Sequence, residues 1–166
     1  MNYFAKFVVI CAIIGTAAAG ATSSISLSSP IALEEQSTNG VVTNITRCGG
    51  NGTPIQLRVS ECEGRCSLVP GRVYNIEYDF IPSSAAPGLS LACDLVFLGT
   101  PHRLFDTALP NSGVLPGQMY TVRFSVVPND ILSGRTVNLR AIIYHTDNRL
   151  LEICVESEVD ILPLPF

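Results

Sequence analysis

Over residues 73–80 the chain alternates without a break: Tyr74, Ile76, Tyr78 and Phe80 fall on one parity, Asn75, Glu77 and Asp79 on the other. Successive side chains of an extended strand point to opposite faces, so this segment lays one face on a core and leaves the other wet. The pattern recurs over residues 118–127, where Tyr120, Val122, Phe124 and Val126 oppose Thr121, Arg123 and Ser125. It recurs again over residues 152–161, where Ile153, Val155, Val159 and Ile161 oppose Glu152, Glu156, Glu158 and Asp160. Further strands are predicted at 41–47, 54–60, 89–98 and 135–145, between clusters of Gly, Pro, Asn and Asp that mark turns. About seven strands, each with one apolar face, predict an all-β fold, an immunoglobulin-like β-sandwich of two antiparallel sheets. A length of 166 residues allows one such domain.

The first residues belong to a different kind of segment. Lys6 is followed by an unbroken apolar run over residues 7–14 and then by small residues over 15–21. That order is the order of a secretory signal peptide, cleaved after Ala19 or Ala21, and the run is short of the ~20 residues a membrane span needs. Residues 22–40, rich in Ser and without periodicity, read as a loose N-terminal extension, which leaves 41–166 as the domain.

Secretion places the cysteines in an oxidising compartment. Cys11 leaves with the signal, and Cys48, Cys62, Cys66, Cys93 and Cys154 remain, an odd number. Cys93 shares its parity with Leu91, Leu95 and Phe97 and is therefore the buried thiol left outside the disulfides. Cys62 and Cys66 are close enough to pair locally, with Gly64 permitting the tight turn. That leaves Cys48 with Cys154, a closure worth about 4 to 5 kcal/mol in the chain-entropy picture. The sequons Asn44-Ile45-Thr46 and Asn51-Gly52-Thr53 make Asn44 and Asn51 candidate glycosylation sites.

Several function classes fall away. A net charge of −4 with no cluster of Lys and Arg excludes nucleic acid as a partner. The chain has two histidines, His102 in a Thr-Pro-His-Arg turn and His145 at a strand end, and no nucleophile elbow; Gly88-Leu89-Ser90-Leu91-Ala92 lacks the second glycine. Zinc on Cys62, Cys66, His102 and His145 competes poorly with a disulfide in a secreted chain. The acidic row Glu152, Glu156, Glu158 and Asp160 reads as a solvated strand face. The chain is expected to be no enzyme and to hold no cofactor or metal. The apolar rows admit two readings, a dry core or the walls of a ligand cavity, because a pocket for a small molecule is itself mostly apolar.

An ordered set of short motifs bears on that choice: Arg47-Cys48-Gly49, Ile55-Gln56-Leu57-Arg58-Val59 before Cys62 and Cys66, Pro70-Gly71, the Tyr74 to Phe80 row, Leu98-Gly99-Thr100-Pro101 with Phe105, Pro116-Gly117 with Tyr120, Leu139-x-Ala141-x-Ile143, and Ile153-Cys154-Val155. In order and spacing they resemble the ML lipid-recognition domain and, within it, the Niemann-Pick type C2 sterol-transfer proteins of arthropods. The resemblance implies a sandwich whose sheets splay around a sterol, fatty acid or other apolar molecule. It places the pocket at Phe80, Leu91, Leu95, Phe97, Phe105, Tyr120, Val122, Phe124 and Val155, with Ile131 and Leu132 in a loop at the mouth. Two departures stand out. Arg47 replaces the family's aspartate, and the loop over 111–115 lacks the cysteine of a third disulfide, which predicts a more mobile loop. The expectation is thus a monomeric lipid carrier, extracellular or lysosomal, that touches a membrane or receptor transiently. The alternatives are an innate-immune module for microbial glycolipid, needing a cationic rim for which Arg103, Arg123 and Arg135 are candidates, or a secreted structural protein with a closed core.

Overall fold

The computed structural model describes residues 26–28 and 39–164; the expected signal peptide lies outside them. The strands are β1 (Ser26–Ser28), β2 (Asn39–Val41), β3 (Ile45–Gly49), β4 (Thr53–Ser60), β5 (Cys66–Leu68), β6 (Tyr74–Ile81), β7 (Leu89–Phe97), β8 (Thr100–Ala108), β9 (Tyr120–Val126), β10 (Thr136–His145) and β11 (Leu151–Ile161). They form two sheets, ordered β1-β9-β6-β4-β2 and β3-β11-β10-β7-β8, with β5 added beside β11. The pairings are antiparallel except that of β5 with β11, which is parallel. The fold is an immunoglobulin-like sandwich whose core is built from the alternating rows: Tyr74, Ile76, Tyr78 and Phe80 of β6 and Tyr120, Val122, Phe124 and Val126 of β9 face Ile153, Val155, Val159 and Ile161 of β11.

The expected strand over 41–47 divides, because β2 pairs with β4 in one sheet and β3 with β11 in the other. The chain crosses between the sheets around Val42, which bridges to Gly64. Together with β1, β2 brings short strands into the stretch read as an extension.

The strand β8 corrects the reading of residues 100–108 as turn and loop. His102 and Phe105 lie within this strand. Pro101 and an irregular polar pattern hide it in the sequence, but β8 is the edge of its sheet, where a proline costs no ladder bond. Leu98 and Gly99 form its hairpin turn with φ of 50° and 78°, the mirror-image turn that matches strand twist. A bulge between Cys93 and Asp94 leaves Leu104 without an opposing residue, so Leu104 and Phe105 are both half-buried.

One acidic residue also departs from expectation. Glu152 is no part of a solvated face but is completely buried. Its carboxylate accepts from the Ser83 N–H at 2.8 Å and the Ser83 hydroxyl at 3.0 Å, and lies 2.7 Å from Nε2 of the buried His145. The turn after β3 supplies the lid: the Gly52 N–H donates to the Glu152 carbonyl at 2.8 Å. Any Cβ at Gly50, whose φ is +99°, would stand 2.2 Å from that same oxygen.

Disulfides join Cys48 to Cys154 and Cys62 to Cys66, with Cα separations of 4.9 and 5.1 Å. Cys62 and Cys66 are therefore no metal ligands. Cys93 is buried and outside both bonds. The loop over 111–115, expected to be loosely held, is pinned by Ser112, whose hydroxyl accepts from the Leu89 N–H at 2.7 Å and donates to the Leu109 carbonyl at 2.7 Å. Paired bonds between Ala86 and Val114 fasten its far side.

Candidate functional site

Inward rows of the two sheets meet incompletely between β4, β6 and β9 on one side and β7, β10 and β11 on the other. A cavity of about 50 Å³ lies between Leu57, Val59, Ile76, Phe124 and Val126 of one sheet and Cys93, Leu139, Ala141, Val155 and Val159 of the other. A second, of about 40 Å³, continues toward the loop after β9 and is walled by Leu95, Leu104, Pro128, Asn129, Leu132 and Val137. Leu68, Val126 and Leu139 belong to both walls, so the two chambers are neighbours along one apolar seam. A pocket for a small molecule occupies ~300–1,000 Å³. A ligand of that size therefore needs the sheets to part.

The end of the seam is formed by a single 3-10 turn, Asp130–Leu132, capped by Asn129, whose side chain accepts from the Ile131 N–H at 2.9 Å. The turn sends Leu132 inward and leaves Ile131 58% exposed. Beside it stand Val73, 57% exposed, Leu98, 88% exposed, and Leu164, 45% exposed. Register places them together: β7 ends at Phe97, β10 starts at Thr136, β11 ends at Ile161 opposite Leu68, and the Gly71 N–H donates to the Pro128 carbonyl at 2.9 Å.

Of the residues expected in the pocket, Phe124 and Val155 wall the larger chamber, and Leu95 and Leu132 the smaller. Phe105 packs its ring edge-on against Phe124 at 5.9 Å between centroids, while its neighbour Leu104 takes the wall position. Phe97 is half-buried at the end of β7. Phe80, Leu91, Tyr120 and Val122 line neither chamber. They are buried elsewhere in the core, with the Phe80 and Tyr120 rings 6.4 Å apart. Leu57, Val59, Leu68, Val126 and Leu139, which the resemblance does not place in the pocket, also wall the chambers, and of these the alternating rows of the sequence place Val126 inward.

Polar groups on the inward face are few. Burial pushes the Tyr78 phenol up from its ordinary range, with the charge of Arg47 acting in the opposite direction. On the outer face of the first sheet, burial would raise the Glu77 carboxyl, but Arg123 and Arg58 outweigh it and hold the group below the usual range. The two sequons differ. The Asn44 amide donates to the Glu158 carbonyl at 2.7 Å and accepts from the Ser157 hydroxyl, whereas Asn51 is exposed in a turn.

No family model matches this chain, and no curated protein matches it by sequence. Among solved structures it is similar to a Niemann-Pick type C2 protein from Japanese carpenter ant, with a TM-score of 0.61 and 14% identity over 70% of this chain and 98% of that one. It is also similar to the C-terminal domain of wzt, with a TM-score of 0.55 and 14% identity over 76% of this chain and 83% of that one. At such identities the likeness establishes a shared sandwich fold.

Proposed function

We propose that this protein is a secreted carrier that takes a sterol or other small lipid between its two sheets and performs no catalysis. The observation that carries this reading is the seam itself, two adjoining chambers with almost wholly apolar walls that run to an end ringed by exposed apolar side chains. Soluble proteins seldom expose such residues together without a use for them. The ordered motifs resembling the ML domain, and the fold shared with the ant protein, support the same reading. Burying about 400 Å² of apolar ligand surface supplies roughly 10 kcal/mol at ~25 cal/mol per Å², against which the parting of the sheets and ligand immobilisation are set.

The small cavity volumes favour a second reading, a secreted protein with a closed core. The glycolipid-recognition reading finds less support: Arg103 is engaged by Asp94 and Asp106 on one sheet and Arg123 by Glu77 on the other, which leaves Arg135, beside the 3-10 turn, as the one of the three candidates at the seam's end. Mass spectrometry of lipid extracted from the protein purified from its native source tests all three. Stoichiometric sterol or fatty acyl lipid is expected; an acidic glycolipid would support the recognition module, and an empty extract the closed core.

A further inference from the structure

Three tyrosines face inward, and two of them have their hydroxyls met by the protein. Tyr74 accepts from the Val69 N–H at 2.8 Å. Tyr120 accepts from the Leu115 N–H at 3.0 Å and donates to Gln118 at 3.1 Å. Tyr78 is only 2% exposed, and among the described residues its hydroxyl alone is a buried side-chain oxygen or nitrogen without a hydrogen-bond partner. An unmet buried hydroxyl costs free energy that phenylalanine in the same space would not.

Its surroundings indicate what meets it. Tyr78 itself is in neither chamber wall but borders the larger one: along β6 it is the next inward residue after Ile76, and across the ladder it pairs with Leu57, both of which wall that chamber. Arg47, whose field reaches the phenol, pairs in register with Val155, another wall residue. The Arg47 guanidinium bonds to the carbonyls of Gly49, Gly50 and Gly52, which are neutral acceptors. An unmet donor within the field of a cation suits an acceptor oxygen, and a cationic head would be repelled.

We propose that Tyr78 is the polar anchor of the ligand: the site takes an amphiphile with one acceptor oxygen, a hydroxyl or carboxylate, which accepts from Tyr78 while the apolar body fills the seam. This rests on the carrier reading. It adds that a bare hydrocarbon is the poorer ligand, and that Arg47, where the resembling family has aspartate, sets the sign of the head group.

Three fluorescent rods test it, diphenylhexatriene, its propionic acid derivative and its trimethylammonium derivative, titrated against the wild type, Tyr78→Phe and Arg47→Gln. Tyr78→Phe is expected to weaken the acid by roughly fivefold to tenfold and to leave the hydrocarbon unchanged, with no fall in the unfolding midpoint. Arg47→Gln is expected to narrow the gap between acid and ammonium. If Tyr78→Phe holds the acid as tightly as the wild type does, or weakens acid and hydrocarbon equally while lowering the midpoint, the anchor is overturned and the carrier stands. If the wild type takes up none of the three rods, both fall.

Discussion

Where β7 begins and β10 finishes, the sandwich is fastened by directional bonds: Glu152 holds His145 and Ser83, Ser112 holds Leu89 and Leu109, and the disulfide from Cys48 to Cys154 ties β3 to β11 nearby. At the other end, around Leu132, Pro128 and Leu68, apolar contacts carry the seam, beside the bonds from the Val69 N–H to the Tyr74 hydroxyl and from the Gly71 N–H to the Pro128 carbonyl and a local disulfide whose cysteines are four residues apart. A buried polar network has few arrangements that satisfy every member, so disturbing it leaves groups unmet. Apolar contact is non-directional, so on the proposed carrier reading the side chains of the seam exchange one another for a ligand. On that reading, the first end serves as the hinge and the second as the opening.

The largest expected effect sets the two disulfides against each other. Replacing Cys48 and Cys154, 106 residues apart, by alanine should cost about 5 kcal/mol in the chain-entropy picture, against ~2 kcal/mol for Cys62 and Cys66. Guanidinium unfolding midpoints measure both, and equal losses would erase the contrast between the ends. Next comes Glu152→Ala, which strands His145 and Ser83 and should cost about 3 kcal/mol. The paired change Leu132→Ala at the opening should cost about 2 kcal/mol yet speed ligand exchange with vesicles, a readout Glu152→Ala should leave alone. The smallest effect belongs to Leu98, whose positive φ suits asparagine better. Leu98→Asn should raise stability by up to about 1 kcal/mol while slowing transfer to vesicles. Faster transfer would remove Leu98 from the opening.

Much of the sandwich could be read from parity alone, since the rows of β6, β9 and β11 have the period of two that a half-buried strand imposes. The strand β8 could not, because an edge strand with Pro101 and a bulge at Leu104 carries no clean alternation. The burial of Glu152 was equally hidden. Its parity matched that of the half-buried Glu156 and the exposed Glu158 further along the same face, and its partner Ser83 comes from a distant part of the chain. The chambers were partly legible: Phe124, Val155, Leu95 and Leu132 were named and wall them, while Phe80, Leu91, Tyr120 and Val122, equally buried, line neither. Alternation states which face is inward and is silent on how tightly the inward faces meet. Nor does it distinguish Tyr78 from Tyr74, whose hydroxyl finds a backbone partner.

Cys93 gives this molecule a clock. Its thiol belongs to the wall of the larger chamber and is 3% exposed, so a reagent in solution reaches it only when the sheets come apart. The rate at which a small alkylating agent marks Cys93 in the native protein, divided by its rate with an unstructured peptide thiol, then counts the fraction of time the seam stands open. A molecule lodged between the sheets should slow that clock in proportion to its occupancy, so affinity could be timed for lipids that neither fluoresce nor dissolve well enough to titrate.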